Sequence, residues 1–238
     1  MTIRICGNSH LAALRNGNHM LGENPHKLQF FPFGSGYWTW DPFSTVDKGG
    51  LRLTPAEFQR NMKKHTGGQY FSPDDRWGIC IGGHSPRLYG SPHWKWCRPA
   101  HLATKPRFRP ISDGLLDALI LQDHRFIYQF LEHMQQAKLD FFVIATPPPP
   151  PNFHGEHRTD EVETIAYIET RSRKQFRDWV KNHGIDYIDL PDGIMDETGF
   201  IKPAFKQDFN HEGKRDAHHA NEKYGGEMVK KINAYLSA

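Results

Sequence analysis

The chain has 238 residues, 37% of them apolar and 13% aromatic, and a formal net charge of +3. That length and apolar content suffice for a single α/β domain with a sizeable core, and a small net charge with no long basic run argues against nucleic acid as a partner. No stretch approaches the ~20 apolar residues of a membrane span, and the first apolar run stops at Gly7, too early for a secretory signal.

Cys6, Cys80 and Cys97 are the three cysteines. A sparse, odd count without a signal segment points to free thiols in a reducing compartment, and so to a cytoplasmic protein. The 15 histidines mean that positive charge grows quickly on acidification.

Short apolar runs alternate with longer segments of helical period, the pattern of an α/β domain with a parallel sheet. The first strand is predicted over residues 3–6. It leads into Gly7-Asn8-Ser9-His10 and a short helix over 9–15. Standing alone, a serine at this place is a helix N-cap. A serine at a strand-to-helix turn also stands where free backbone N–H groups can meet a developing negative charge. The second strand, 28–33, is followed by Gly34-Ser35-Gly36-Tyr37 and the aromatic run Tyr37-Trp38-Thr39-Trp40. A helix is predicted over 54–64, with Thr54 as N-cap, Pro55 in the first turn and Glu57 at the third position.

The third strand, 77–81, and the fourth, 141–145, are continuously apolar, as strands covered on both faces must be. The third is followed by Gly82-Gly83-His84-Ser85 and an irregular stretch with Arg87, Tyr89, His93, Trp94, Lys95, Trp96 and Arg98. A helical pattern, one long helix or two shorter ones, covers 112–137. The proline run 147–151 leaves the fourth strand as a stiff connection, either a plain rigid loop or one wall of a site. The remaining elements are a helix over 159–183 ending at Gly184, a strand over 187–190 and a last helix over 220–236. That last helix has Tyr224, Met228, Ile232 and Tyr235 on one face. No internal repeat or linker divides residues 1–238, so one domain is expected.

A serine hydroxyl is a poor nucleophile unless an oriented base takes its proton. Two Asp-x-x-His pairs near the C-terminus offer such a base, Asp208 with His211 and Asp216 with His219, and His218 stands beside the second. No tight metal-ligand motif is present, and His154, His157, His211 and His218 read first as solvated loop residues. The aromatics Trp38, Trp94 and Trp96 follow strand ends. They suit a sugar ring or acyl chain, or else form a satellite cluster that pins long loops. Arg87, Lys95 and Arg98 admit an anionic substrate or a merely soluble surface.

Gly7-Asn8-Ser9-His10 at one end, and Asp216-Ala217-His218-His219 before the last helix, resemble the SGNH (GDSL-like) hydrolase superfamily. The resemblance implies a three-layer α/β/α sandwich, flavodoxin-like, with about five mainly parallel strands. It implies a triad of Ser9, His219 and Asp216 that needs no cofactor or metal. Its second block matches Gly34-Ser35-Gly36-Tyr37, where Gly36 would join the backbone of Ser9 in an oxyanion hole. Its third block matches Ile81-Gly82-Gly83-His84-Ser85, with His84 where an oxyanion-binding Asn is expected. An imidazole N–H there either takes over that donation or the donation is lost. The first block departs as well, with Asn8 in place of Asp. The implied activity is hydrolysis of a carboxylic ester, with O-acetyl groups on a glycan or glycoconjugate as the candidate substrate. An O-acyltransferase and a non-catalytic binding domain on the same fold are the alternatives.

Overall fold

The computed structural model describes residues 2–34, 39–151, 159–209, 213–214, 216 and 218–238. In chain order the elements are β1 (Thr2–Gly7), α1 (Leu11–Leu21), β2 (Leu28–Pro32), β3 (Ser44–Asp47), β4 (Gly50–Leu53), α2 (Ala56–Thr66), β5 (Asp75–Cys80), α3 (Pro86–Tyr89), β6 (Cys97–Pro99), β7 (Arg109–Ile111), α4 (Asp113–Gln136), β8 (Asp140–Ile144), α5 (Thr159–Asn182), β9 (Asp186–Ile188) and α6 (Glu222–Leu236).

Five strands form one sheet in the order β2-β1-β5-β8-β9, with every pairing parallel. Numbered among themselves they run 2-1-3-4-5, the flavodoxin-like doubly wound order. Alternate residues of the apolar strands enter opposite layers, because side chains along a strand point to alternate faces. Cys6, Ile79 and Val143 join Phe31, Trp77, Phe130 and Phe176 in one core, against α2, α4 and α5. Ile5, Cys80 and Phe142 join Leu14, Tyr224, Met228 and Ile232 in the other, against α1 and α6. The three-layer sandwich expected from the sequence is therefore present.

Several local expectations shift. The first helix extends to Leu21 because Gly17, the residue that weakens it on propensity, is buried against α6. The second helix starts at Ala56 with Pro55 as its N-cap and no side-chain cap. The Thr54 hydroxyl instead donates to the Pro42 carbonyl at 3.1 Å. Residues 113–136 form one continuous helix, capped by Ser112. The antiparallel hairpin β3–β4 and the short parallel pair β6–β7 have no counterpart in the sequence reading. Among the described residues no helix is long and apolar enough to cross a membrane.

The helices α1 and α6 lie unusually close. A β-carbon on Gly225 would fall inside the Ala13 carbonyl group and 3.0 Å from the Leu14 amide nitrogen. On Gly17 it would lie 2.7 Å from the Gly225 Cα. This crossing matters for the site, since Ser9 enters α1 and His219 precedes α6.

Candidate active site

The turn after β1 is shaped by two constraints. Gly7 leaves no room for a side chain, because a β-carbon would collide with the Cys80 carbonyl on the neighbouring strand. Asn8 then folds back, its Oδ1 accepting from the His10 amide at 3.1 Å. The first helical turn closes through backbone bonds from Leu11 to Asn8 and from Ala12 to Ser9, each 3.1 Å. His10, not Ser9, is the N-cap residue, and no side chain caps α1. The exposed Ser9 hydroxyl is thus not spent on capping.

It meets His219 Nε2 at 2.9 Å. On the other side of that ring, Nδ1 lies 2.9 Å from Asp216 Oδ2 and 3.1 Å from Oδ1. An imidazole that gives its Nδ1 proton to a carboxylate has a lone pair at Nε2, so the serine hydroxyl is the donor in the first contact. Asp216 is buried. Burial pushes its carboxyl up, but the amide N–H groups of His218 and His219 and the His219 ring outweigh this, so its pKa lies below the ordinary carboxylate value. Those amides reach Asp216 Oδ1 at 2.8 and 3.0 Å.

The segment carrying this pair is fixed from both sides. The His219 carbonyl accepts from Gln207 N at 2.9 Å, and Asn221 caps α6 through the amides of Lys223 and Tyr224. Asn221 Nδ2 also donates to the carbonyls of Ala204 and Lys206. Asp208, half of the rival pair, is exposed and engages Asp216 only through its own backbone carbonyl. His211 lies outside the described residues, as do His154, His157, Gly36 and Trp38.

Behind the serine stand two buried imidazoles that the sequence did not place together. The His10 ring lies 4.9 Å from that of His84 and 5.3 Å from that of His219, centroid to centroid. Desolvation, followed by the neighbouring His84, His219 and Arg173, holds His10 well below the usual histidine range. Desolvation, then the Arg173 cation, lowers His84 to about 3. Both rings are therefore neutral at pH 7.

Arg173 and its partner Glu169 sit deep in α5, their side chains 13% and 3% exposed. Arg173 donates to the carbonyls of Thr146 at 2.7 Å and Pro147 at 2.8 Å, and to Glu169 at 2.7 Å. This pins the exit of β8. Residues 147–150 are buried, and the Pro149 carbonyl accepts from Ile201 N at 3.1 Å. The aromatics separate. Trp94 is buried with Leu116, Ile120, Ile165 and Phe200, and its indole N–H donates to the Leu88 carbonyl. Trp96 is 64% exposed. Among the described residues no group of three or more His, Cys, Asp or Glu side chains is arranged to hold a metal ion.

No family model and no curated protein matches the sequence. The likeness lies in three dimensions. A Bacteroides fragilis protein provisionally assigned as an acylhydrolase superposes with a TM-score of 0.50, covering 99% of this chain and 86% of its own, at 11% identity. A Streptococcus pneumonia protein provisionally named a platelet activating factor gives 0.52, covering 99% and 83%, at 10% identity. The chain shares its fold with these two proteins. At such identities the likeness carries architecture and not activity, so function has to be argued from the side chains.

Proposed function

We propose that this protein is a serine esterase that hydrolyses a carboxylic ester. The observation that carries the reading is the hydrogen-bonded run from Ser9 Oγ through the His219 ring to Asp216, which ends in a buried carboxylate. In this reading His219 Nε2 takes the Ser9 proton as Oγ attacks the ester carbonyl. Asp216 holds the imidazole in the needed tautomer and stabilises the imidazolium that forms. The same proton passes to the leaving alcohol, and a water deprotonated by His219 releases the acyl group. The backbone N–H groups of Ser9 and Gly36 are assigned to the tetrahedral oxyanion, the roles their blocks of the resemblance imply.

The exposure of Ser9 favours water as the second acceptor, and hence hydrolysis over acyl transfer. A flat, exposed Trp96 on the excursion that follows β5 suits a sugar ring, which keeps O-acetylated glycans as the candidate substrate. An assembled triad counts against a purely binding role. The test is hydrolysis of an activated acetate ester with labelling by a serine-directed phosphonate, comparing wild type with Ser9→Ala. Turnover and labelling are expected to vanish together. Labelling that persists in Ser9→Ala removes the nucleophile assignment, and acyl transfer to an added sugar that outruns hydrolysis favours the transferase.

A further inference from the structure

The turn carrying His84 is held at every carbonyl. Gly82 and Gly83 both have φ of +81°, which suits glycine. The Gly82 carbonyl accepts from Thr146 Oγ1 at 2.7 Å, the Gly83 carbonyl from Ser172 Oγ at 3.3 Å and the His84 carbonyl from His124 Nε2 at 3.1 Å. The side chain of His84 therefore leaves a fixed backbone.

Its ring is anchored too. Thr146 Oγ1 lies 3.3 Å from His84 Nδ1. A hydroxyl has one proton, and this one is directed at Gly82, so Thr146 can only accept from the ring. Nδ1 is thus the protonated nitrogen. A neutral imidazole has one N–H, which leaves a bare lone pair at Nε2 on the opposite edge. The ring itself stands among the imidazoles of the site. β1 and β5 pair with Gly7 beside Cys80, so Ser9 and His84 leave adjacent strand ends in the same direction. The His84 ring packs on His10, which packs on His219, whose Nε2 holds Ser9.

We propose that His84 is a specificity residue that accepts a hydrogen bond from a donor on the acyl group, an α-hydroxyl as in glycolyl or lactyl esters, and does not donate to the oxyanion. A lone pair beside an ester carbonyl repels both that oxygen and the oxyanion it becomes. A hydroxyl on the adjacent carbon is the nearest donor a substrate can bring to it. A rigid acceptor left unpaired by a plain acyl group discriminates against that group. The proposal rests on the serine esterase reading, and its test separates the two.

The first measurement needs no turnover. Long-range proton–nitrogen NMR of the imidazoles, with His84 assigned by the signals lost in His84→Asn, reads the tautomer directly. An Nδ1–H ring at pH 7 is expected, and an Nε2–H ring overturns the proposal. The second compares 4-methylumbelliferyl glycolate, methoxyacetate and acetate. The first two have similar inductive pull but differ in the hydroxyl proton. After correction for hydroxide-catalysed rates, wild type is expected to prefer glycolate over methoxyacetate by about 10–10²-fold in kcat/KM. His84→Asn, which presents an amide donor, is expected to bring the ratio near one and to accelerate acetate. A wild-type ratio near one overturns the proposal, as does a loss of about 10²-fold or more on acetate in His84→Ala, the cost of removing an oxyanion donor. Turnover of all three esters that survives Ser9→Ala defeats the serine esterase reading and leaves the tautomer result standing.

Discussion

Replacing Gly225 by alanine tests whether the crossing of α1 and α6 sets the distance between Ser9 and His219. The new methyl would overlap the Ala13 carbonyl and crowd the Leu14 amide, which it would approach to 3.0 Å. The clash is with backbone, so no side-chain rotation relieves it. Restoring contacts of ~3.5 Å requires the helices to part by roughly 1–2 Å. Overpacking of this kind costs about 1–3 kcal/mol. Ser9 stands just before α1 and His219 just before α6, so the parting is transmitted to a hydrogen bond that is only 2.9 Å long. A displacement of ~1 Å between reacting groups costs about 10²-fold in rate. Gly225→Ala is therefore expected to remain folded, with a urea midpoint lowered by the equivalent of about 1–3 kcal/mol. Its kcat on an activated acetate should fall by about 10²-fold with a smaller change in KM. Gly114→Ala, in a glycine of α4 whose β-carbon would meet nothing within 4 Å, is the control. A Gly225→Ala protein with wild-type kcat and midpoint would refute the reasoning.

Three further outcomes are expected. Asp216→Asn keeps the volume but presents an amide to His219 Nδ1, so the ring loses its tautomer and kcat should drop by about 10⁴-fold; a loss below tenfold removes Asp216 from the orienting role. Arg173→Met leaves the Glu169 carboxylate buried and unpaired, which costs about 3–5 kcal/mol, and adding Glu169→Gln should recover part of it in urea unfolding. His84 titrates at about 3 in the fold and near 6.5 when unfolded. Between those values the unfolded chain binds a proton that the native state does not, so this stability is complete above pH 6.5 and is lost as pH falls towards about 3. From pH 7 to 5 the loss is about 2 kcal/mol, and a His84→Asn protein with the same pH slope as wild type would contradict it.

The sheet was legible because its strands are covered on both faces, and continuous runs such as Gly78-Ile79-Cys80-Ile81 have few other uses in a chain of this length. The ends of the site were legible because Ser9 follows the first strand directly and Asp216 and His219 precede the last helix. What lay hidden was the layer behind them. Arg173 and Glu169 sit in a long amphipathic helix whose polar positions look alike in sequence, and only the fold shows that these two face the β8 exit. Thr146 carries no periodic signal and acquires its role by meeting Gly82 and His84 from another strand. Trp94 was equally ambiguous. Its aromatic run fits a binding wall or a core, and its burial against α4 and α5 follows from tertiary packing that local sequence does not record.

Ser9 and His219 are 210 residues apart along the chain. Closing a loop of that size costs about 5 kcal/mol in chain entropy, beyond a constant, before any contact returns it. Ser9 precedes His219 along the chain, so on the proposed reading its hydroxyl has no base until the segment before α6 has docked. On that reading, reactivity towards a phosphonate reports that α6 has found α1.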